Sequence, residues 1–118
     1  MDMAVQKPVL IVEDDPFIAM DAEDAIISAG LECLVAHDCK SAFAILESHA
    51  LAGALLDFDL RGENSIPIAA KLEEAGYPYF FVTGRTTREV TEMLGSNAPL
   101  FNKPVDYSKI AAQLFAQI

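Results

Sequence analysis

The chain has 118 residues, 53% of them apolar and 22% charged, with a net charge of −10 at neutral pH. That length and apolar share suffice for one domain with a real core, and the acidic balance excludes a surface that grips DNA, RNA or an anionic membrane through clustered Lys and Arg. No apolar run approaches the roughly 20 residues of a membrane span, and "MDMAVQKPVLIVEDD" lacks a signal-peptide layout, so a cytoplasmic protein is expected.

"VLIV" (9–12) is a short continuous apolar run, which predicts a strand buried on both faces, and it ends at Glu13-Asp14-Asp15. A helix follows in "DPFIAMDAEDAIISAG": Asp15 caps it, Pro16 suits its first turn, Ile18, Ala22, Ile26 and Ala29 form its stripe, and Gly30 stops it. "LECLVAH" (31–37) is more mixed and predicts a strand nearer the edge of a sheet, and "KSAFAILES" predicts a second helix. Cys33 and Cys39 fall in that strand and at that helix start. Free buried thiols are expected of both, since no spacing suggests zinc and a reducing compartment disfavours pairing.

"GALL" (53–56) is a third strand running into Asp57, and "SIPIAAKLEEAG" a helix closed by glycine. "YFFV" (79–82) ends at Thr83 and is followed by the helix "TTREVTEML"; "PLF" (99–101) leads to Lys103 and the helix "VDYSKIAAQLFAQI". Ile110, Leu114 and Ile118 are expected in the core, as are Met93 and Leu94. Strand and helix thus alternate five times without repeat or linker, which predicts an α/β fold: a doubly wound, parallel five-stranded sheet joined by right-handed crossovers, in the flavodoxin-like order 2-1-3-4-5.

In such a sheet the strand C-terminal ends share one edge. Glu13, Asp14, Asp57, Thr83 and Lys103 therefore converge on one pocket. Crowded carboxylates repel, and a hard divalent cation such as Mg2+ relieves that repulsion. One carboxylate could act as a nucleophile on phosphorus, with the metal, a lysine and a hydroxyl stabilising the phosphoryl oxygens. Each residue also has an ordinary reading. Asp57 and Thr83 could be strand-end polar groups, Glu13 and Asp14 acids favoured by a helix dipole, and Lys103 a surface lysine. His37 and His49 are expected at the surface, and Arg61 and Arg85 overlook the pocket, either touching phosphate or solvated.

"LIVEDDP", "LLDFDL", "VTG" and "NKP", in that order and those strand contexts, resemble the receiver domain of two-component response regulators. The resemblance spans essentially the whole chain and implies one receiver domain over 1–118 with no output domain. It implies Asp57 as phosphoacceptor, Asp14 as the main metal-binding carboxylate, Glu13 helping through water and Asp59 offering its backbone carbonyl to Mg2+. Thr83 would be the switch hydroxyl, Lys103 would pair with the phosphoryl group, and Lys103–Pro104 would be cis. Leu100 departs from the pattern, standing where receivers commonly carry Tyr or Phe, while Phe101 points to the other face. Arg61 replaces the usual proline of "PG". "FFVTGR" with the missing aromatic resembles the alphaproteobacterial single-domain FAT GUY subgroup, from whose motif Val82 and Arg85 also depart.

The function implied is that of a phosphorelay module, not a turnover enzyme, that accepts a phosphoryl group from a sensor histidine kinase or phosphotransfer protein. It would signal to an unknown downstream protein, with no nucleic acid or membrane partner, as a monomer or weak dimer. A pseudo-receiver that only docks partners is the alternative. A haloacid-dehalogenase-type phosphatase would also use "DFD", but there the motif ends the first strand, further acids follow the lysine, and a cap domain selects substrate.

Overall fold

The computed structural model describes residues 7–94 and 99–118. Its elements in chain order are β1 (Val9–Val12), α1 (Pro16–Ser28), β2 (Cys33–Ala36), α2 (Cys39–Ser48), β3 (Gly53–Asp57), β4 (Asp59–Leu60), β5 (Glu63–Asn64), α3 (Ile66–Ala75), β6 (Tyr79–Thr83), α4 (Thr87–Leu94), β7 (Leu100–Asn102) and α5 (Tyr107–Gln117). The main sheet is parallel throughout, in the order β2-β1-β3-β6-β7. This is the expected 2-1-3-4-5 once the small antiparallel hairpin β4–β5 is counted. That hairpin was not foreseen; it folds "DLRGEN" back on itself beside the end of β3, turning at Gly62 with a φ of +76°.

The continuous apolar runs are explained by cover on both faces. Leu10, Val12, Leu56 and Phe81 pack with Ala42, Ile68 and Leu72 of α2 and α3. Val9, Ile11, Leu55 and Val82, the alternate residues, pack with Ile26, Ile110 and Leu114 of α1 and α5. The mixed β2 is an edge strand and is only partly buried. No helix among the described residues is long and apolar enough to cross a membrane.

Local signals set the helix ends. Asp15 Oδ1 accepts from the amides of Phe17 (2.9 Å) and Ile18 (3.2 Å), closing orphan donors of α1. Gly30 (φ +89°) and Gly76 (φ +78°) take the left-handed conformation just past α1 and α3, which a Cβ would penalise.

Three core assignments need correction. Ile118 is 54% exposed, because α5 has ended at Gln117, so only Ile110 and Leu114 of that stripe are buried. Met93 is 49% exposed: α4 buries Val90 and half-buries Leu94, leaving Met93 on its flank over a groove. Both cysteines are free, but Cys33 on the edge strand is only half-buried and bonds Glu23.

Gly53 is fixed by close approach. A Cβ there would lie 2.8 Å from the Pro78 carbonyl oxygen and 3.0 Å from Leu114 Cδ1. Gly53→Ala is expected to cost about 1–3 kcal/mol by overpacking. Urea denaturation should show a lower midpoint at unchanged slope.

Candidate functional site

The ends of β1, β3, β6 and β7 bring five side chains to one edge of the sheet. Glu13, Asp57 and Thr83 are 4%, 9% and 0% exposed. Glu13 is placed by its amide bond to the Ala36 carbonyl (3.0 Å), and its own carbonyl meets His37 Nδ1 at 2.8 Å. His37 and His49 are otherwise exposed. The Lys103 amide donates to the Thr83 carbonyl (2.7 Å), extending β7 far enough for the ammonium to turn inward. Its Nζ lies 3.3 Å from Glu13 Oε1 and 3.2 Å from Asp57 Oδ2, and the Lys103–Pro104 peptide is cis.

Carboxylate oxygens of Glu13, Asp14 and Asp57 lie within 4.8 Å of one another. Burial pushes the Glu13 carboxyl up to about 7, a hydrogen bond shared with Asp57 adds to this, and the Asp15 amide opposes it. Burial lowers the proton affinity of Lys103, but the charges of Asp57 and then Glu13 outweigh it and raise the group above its ordinary value. Burial also resists ionisation of Asp14, yet the Arg61 amide, donating to Oδ2 at 3.2 Å, helps hold it below the usual carboxylate value. Three convergent oxygen donors, two of them buried and served by one lysine, fit a hard cation such as Mg2+.

The Asp59 carboxylate is engaged elsewhere. Arg85 Nε reaches its two oxygens at 2.9 and 3.1 Å and Nη2 reaches Oδ1 at 2.9 Å, while the guanidinium carbon sits 5.6 Å from the centre of the buried Phe58 ring. The Asp59 hydrogen bond and then its charge raise Arg85 above its ordinary value. Asp59 keeps its amide toward the cluster, 3.3 Å from Asp57 Oδ1. Arg61 is mostly solvated, with Nε 3.7 Å from Asp14 Oδ2.

Thr83 Oγ1 accepts from the Arg85 amide at 3.0 Å. The Arg85 carbonyl accepts from Asn102 Nδ2 at 2.6 Å, and Asn102 Oδ1 accepts from Thr87 at 2.8 Å. Leu100 is partly buried against the apolar cluster that holds Phe81 and Val90, whereas Phe101 points to the opposite face against Phe80, 5.1 Å between ring centres. Sequence reasoning missed the Arg85–Asp59 pair and Asn102. The pair had a signal: opposite charges two residues beyond Asp57 and Thr83, the last residues of the neighbouring strands β3 and β6.

No protein-family model matches the sequence, nor does any curated protein. Among solved structures, SdrG from Sphingomonas melonis Fr1 is 31% identical, with 97% of each chain covered and a TM-score of 0.77. A response regulator receiver protein from Pseudomonas putida is 20% identical, covering 98% of this chain and 100% of the other at a TM-score of 0.80. A CheY-like receiver domain protein from Methanospirillum hungatei JF-1 is 24% identical, covering 96% and 97% at a TM-score of 0.76. The fold is that of the response regulator receiver domains. With a relative this similar over nearly the whole of both chains, the protein belongs to that family.

Mg2+ at a hundredfold excess over its dissociation constant should stabilise the fold by about 2.7 kcal/mol, read as a raised melting temperature. Asp57→Asn, by removing a buried carboxylate beside Glu13, should raise the metal-free melting temperature and abolish most of the Mg2+ increment. In the same metal-free protein the Glu13 side-chain carbon should titrate near pH 7 by NMR. Its midpoint should fall in Asp57→Asn, since Asp57 raises it both by hydrogen bond and by charge.

Proposed function

We propose that the protein is a phosphoacceptor in a two-component phosphorelay, with Asp57 as the nucleophile. The observation that carries this reading is the Asp57 carboxylate at the end of β3, 9% exposed, with the Lys103 ammonium at 3.2 Å and the oxygens of Glu13 and Asp14 alongside. An Asp57 oxygen attacks phosphorus, the bond from phosphorus to a donor imidazole nitrogen breaks with its electron pair leaving on that nitrogen, and an acyl phosphate forms.

This chain's residues prepare the step. Lys103, already bound to Asp57, is placed to follow the charge onto a phosphoryl oxygen as it develops. The Thr83 hydroxyl has its proton available for another phosphoryl oxygen, because its oxygen serves as acceptor to Arg85. Glu13, Asp14, Asp57 and the backbone carbonyl of Asp59 would hold Mg2+, whose charge offsets that of the phosphoryl group. Such chemistry makes the protein a signalling module whose acts on itself are single turnovers.

A sensor histidine kinase or a phosphotransfer protein supplies the phosphoryl group in the cytoplasm, and a protein partner reads the result on the surface of α4, β7 and α5. Leu100 and "FFVTGR" support placement near the FAT GUY subgroup. Incubation with acetyl phosphate and Mg2+, followed by intact mass, tests the proposal. One added phosphoryl group that needs Mg2+ and is absent in Asp57→Asn is the expected result. No adduct from acetyl phosphate or from a purified kinase would leave a protein that docks partners without phosphorylation.

A further inference from the structure

The Arg85–Asp59 pair lies against the acidic cluster without joining it. Asp59 is two residues from Asp57 and bonds it through its amide, so its carboxylate has the chain position to become a fourth negative group at the same edge. The guanidinium prevents this by taking both Asp59 oxygens, with Nε at 2.9 and 3.1 Å and Nη2 at 2.9 Å. Arg85 is itself held from several sides. Its amide is bonded to Thr83, its carbonyl to Asn102, its Nη1 lies 3.7 Å from Glu89, and its guanidinium lies over Phe58. A side chain anchored in this way sets where the hairpin carboxylate points.

We propose that Arg85 is a positioning residue that withdraws the Asp59 carboxylate from the acidic cluster and so limits how strongly that cluster binds a divalent cation. This rests on the phosphoacceptor reading, in which the cluster is a Mg2+ site. The consequence concerns the balance between cation and phosphoryl group. Three carboxylates and one lysine leave room for a cation and then an anion, whereas a free fourth carboxylate would favour the cation and oppose the incoming phosphoryl group by like-charge repulsion. Truncation of the guanidinium leaves the backbone bonds of Arg85 to Thr83 and Asn102 in place. The effect therefore separates from the anchoring of the loop.

The test is Mg2+ titration of the full chain, followed by NMR amide shifts, on wild type, Arg85→Ala, Arg85→Lys, Asp59→Asn and the double variant Arg85→Ala/Asp59→Asn. Metal-free melting is recorded for each to establish that it folds. Arg85→Ala should bind Mg2+ about threefold tighter or more, the size expected from one partly exposed charge pair. Arg85→Lys should return toward wild type, and Asp59→Asn should remove the gain from the double variant, giving strong non-additivity. Wild type that binds Mg2+ with Arg85→Ala unchanged or weaker would overturn the inference alone, as would additive effects in the double variant. Wild type that binds no Mg2+ would overturn the phosphoacceptor reading and this inference with it.

Discussion

A single ammonium group holds two largely buried carboxylates together at the edge of the sheet: Lys103 Nζ stands 3.3 Å from Glu13 and 3.2 Å from Asp57. Two such acids would repel and resist desolvation without a shared cation. Their proximity is possible because the ammonium arrives from the far end of the chain, 90 positions beyond Glu13. The parallel topology makes that meeting unavoidable, since β1, β3 and β7 all point their C-terminal ends the same way. Two apolar layers then fix the strands in register, so that the site inherits its geometry from the core.

The pKa values follow from the same arrangement. Glu13 sits near 7 because burial and Asp57 both favour its proton, while Lys103 is raised because two carboxylates face it. The resting site is therefore a partly neutralised cluster rather than three free charges. Asp14, with the Arg61 amide and guanidinium beside it, is held below its ordinary value, the opposite direction to Glu13. In the proposed role, a phosphoryl group on Asp57 would meet a lysine already in place and a buried hydroxyl, Thr83, whose neighbour is the Arg85 amide. Arg85 in turn touches the hairpin through Asp59 and β7 through Asn102. With Leu100 partly buried against the apolar cluster, this polar chain would link position 57 to the β6–α4 loop in that role. A charge change at Asp57 can shift that loop only by interacting differently with its two arrangements.

Much of this was legible in the sequence because it depends on local or topological rules. Continuous apolar runs gave the central strands, Asp15 with Pro16 gave the start of α1, and strand-end polarity gave the cluster of Glu13, Asp14, Asp57, Thr83 and Lys103. What escaped depends on tertiary detail. The hairpin at "DLRGEN" has only two residues in each strand, too few to show alternation. Ile118 fits the stripe of α5 but lies past its last turn, and Met93 lies between the periodicity of Val90 and its neighbours, so spacing alone misassigned both. The Arg85–Asp59 pair escaped although the order 2-1-3-4-5 already set β3 beside β6, because it required knowing that the hairpin turns Asp59 outward.

The most direct test of the account is chemical mapping of the acceptor. Protein treated with acetyl phosphate and Mg2+ is reduced with borohydride, which converts an aspartyl phosphate to homoserine, and the digested peptides are sequenced by mass spectrometry. Homoserine at position 57 alone is the expected result. Modification at Glu13, Asp14 or Asp59, or modification at position 57 that persists when Mg2+ is withheld, would contradict it.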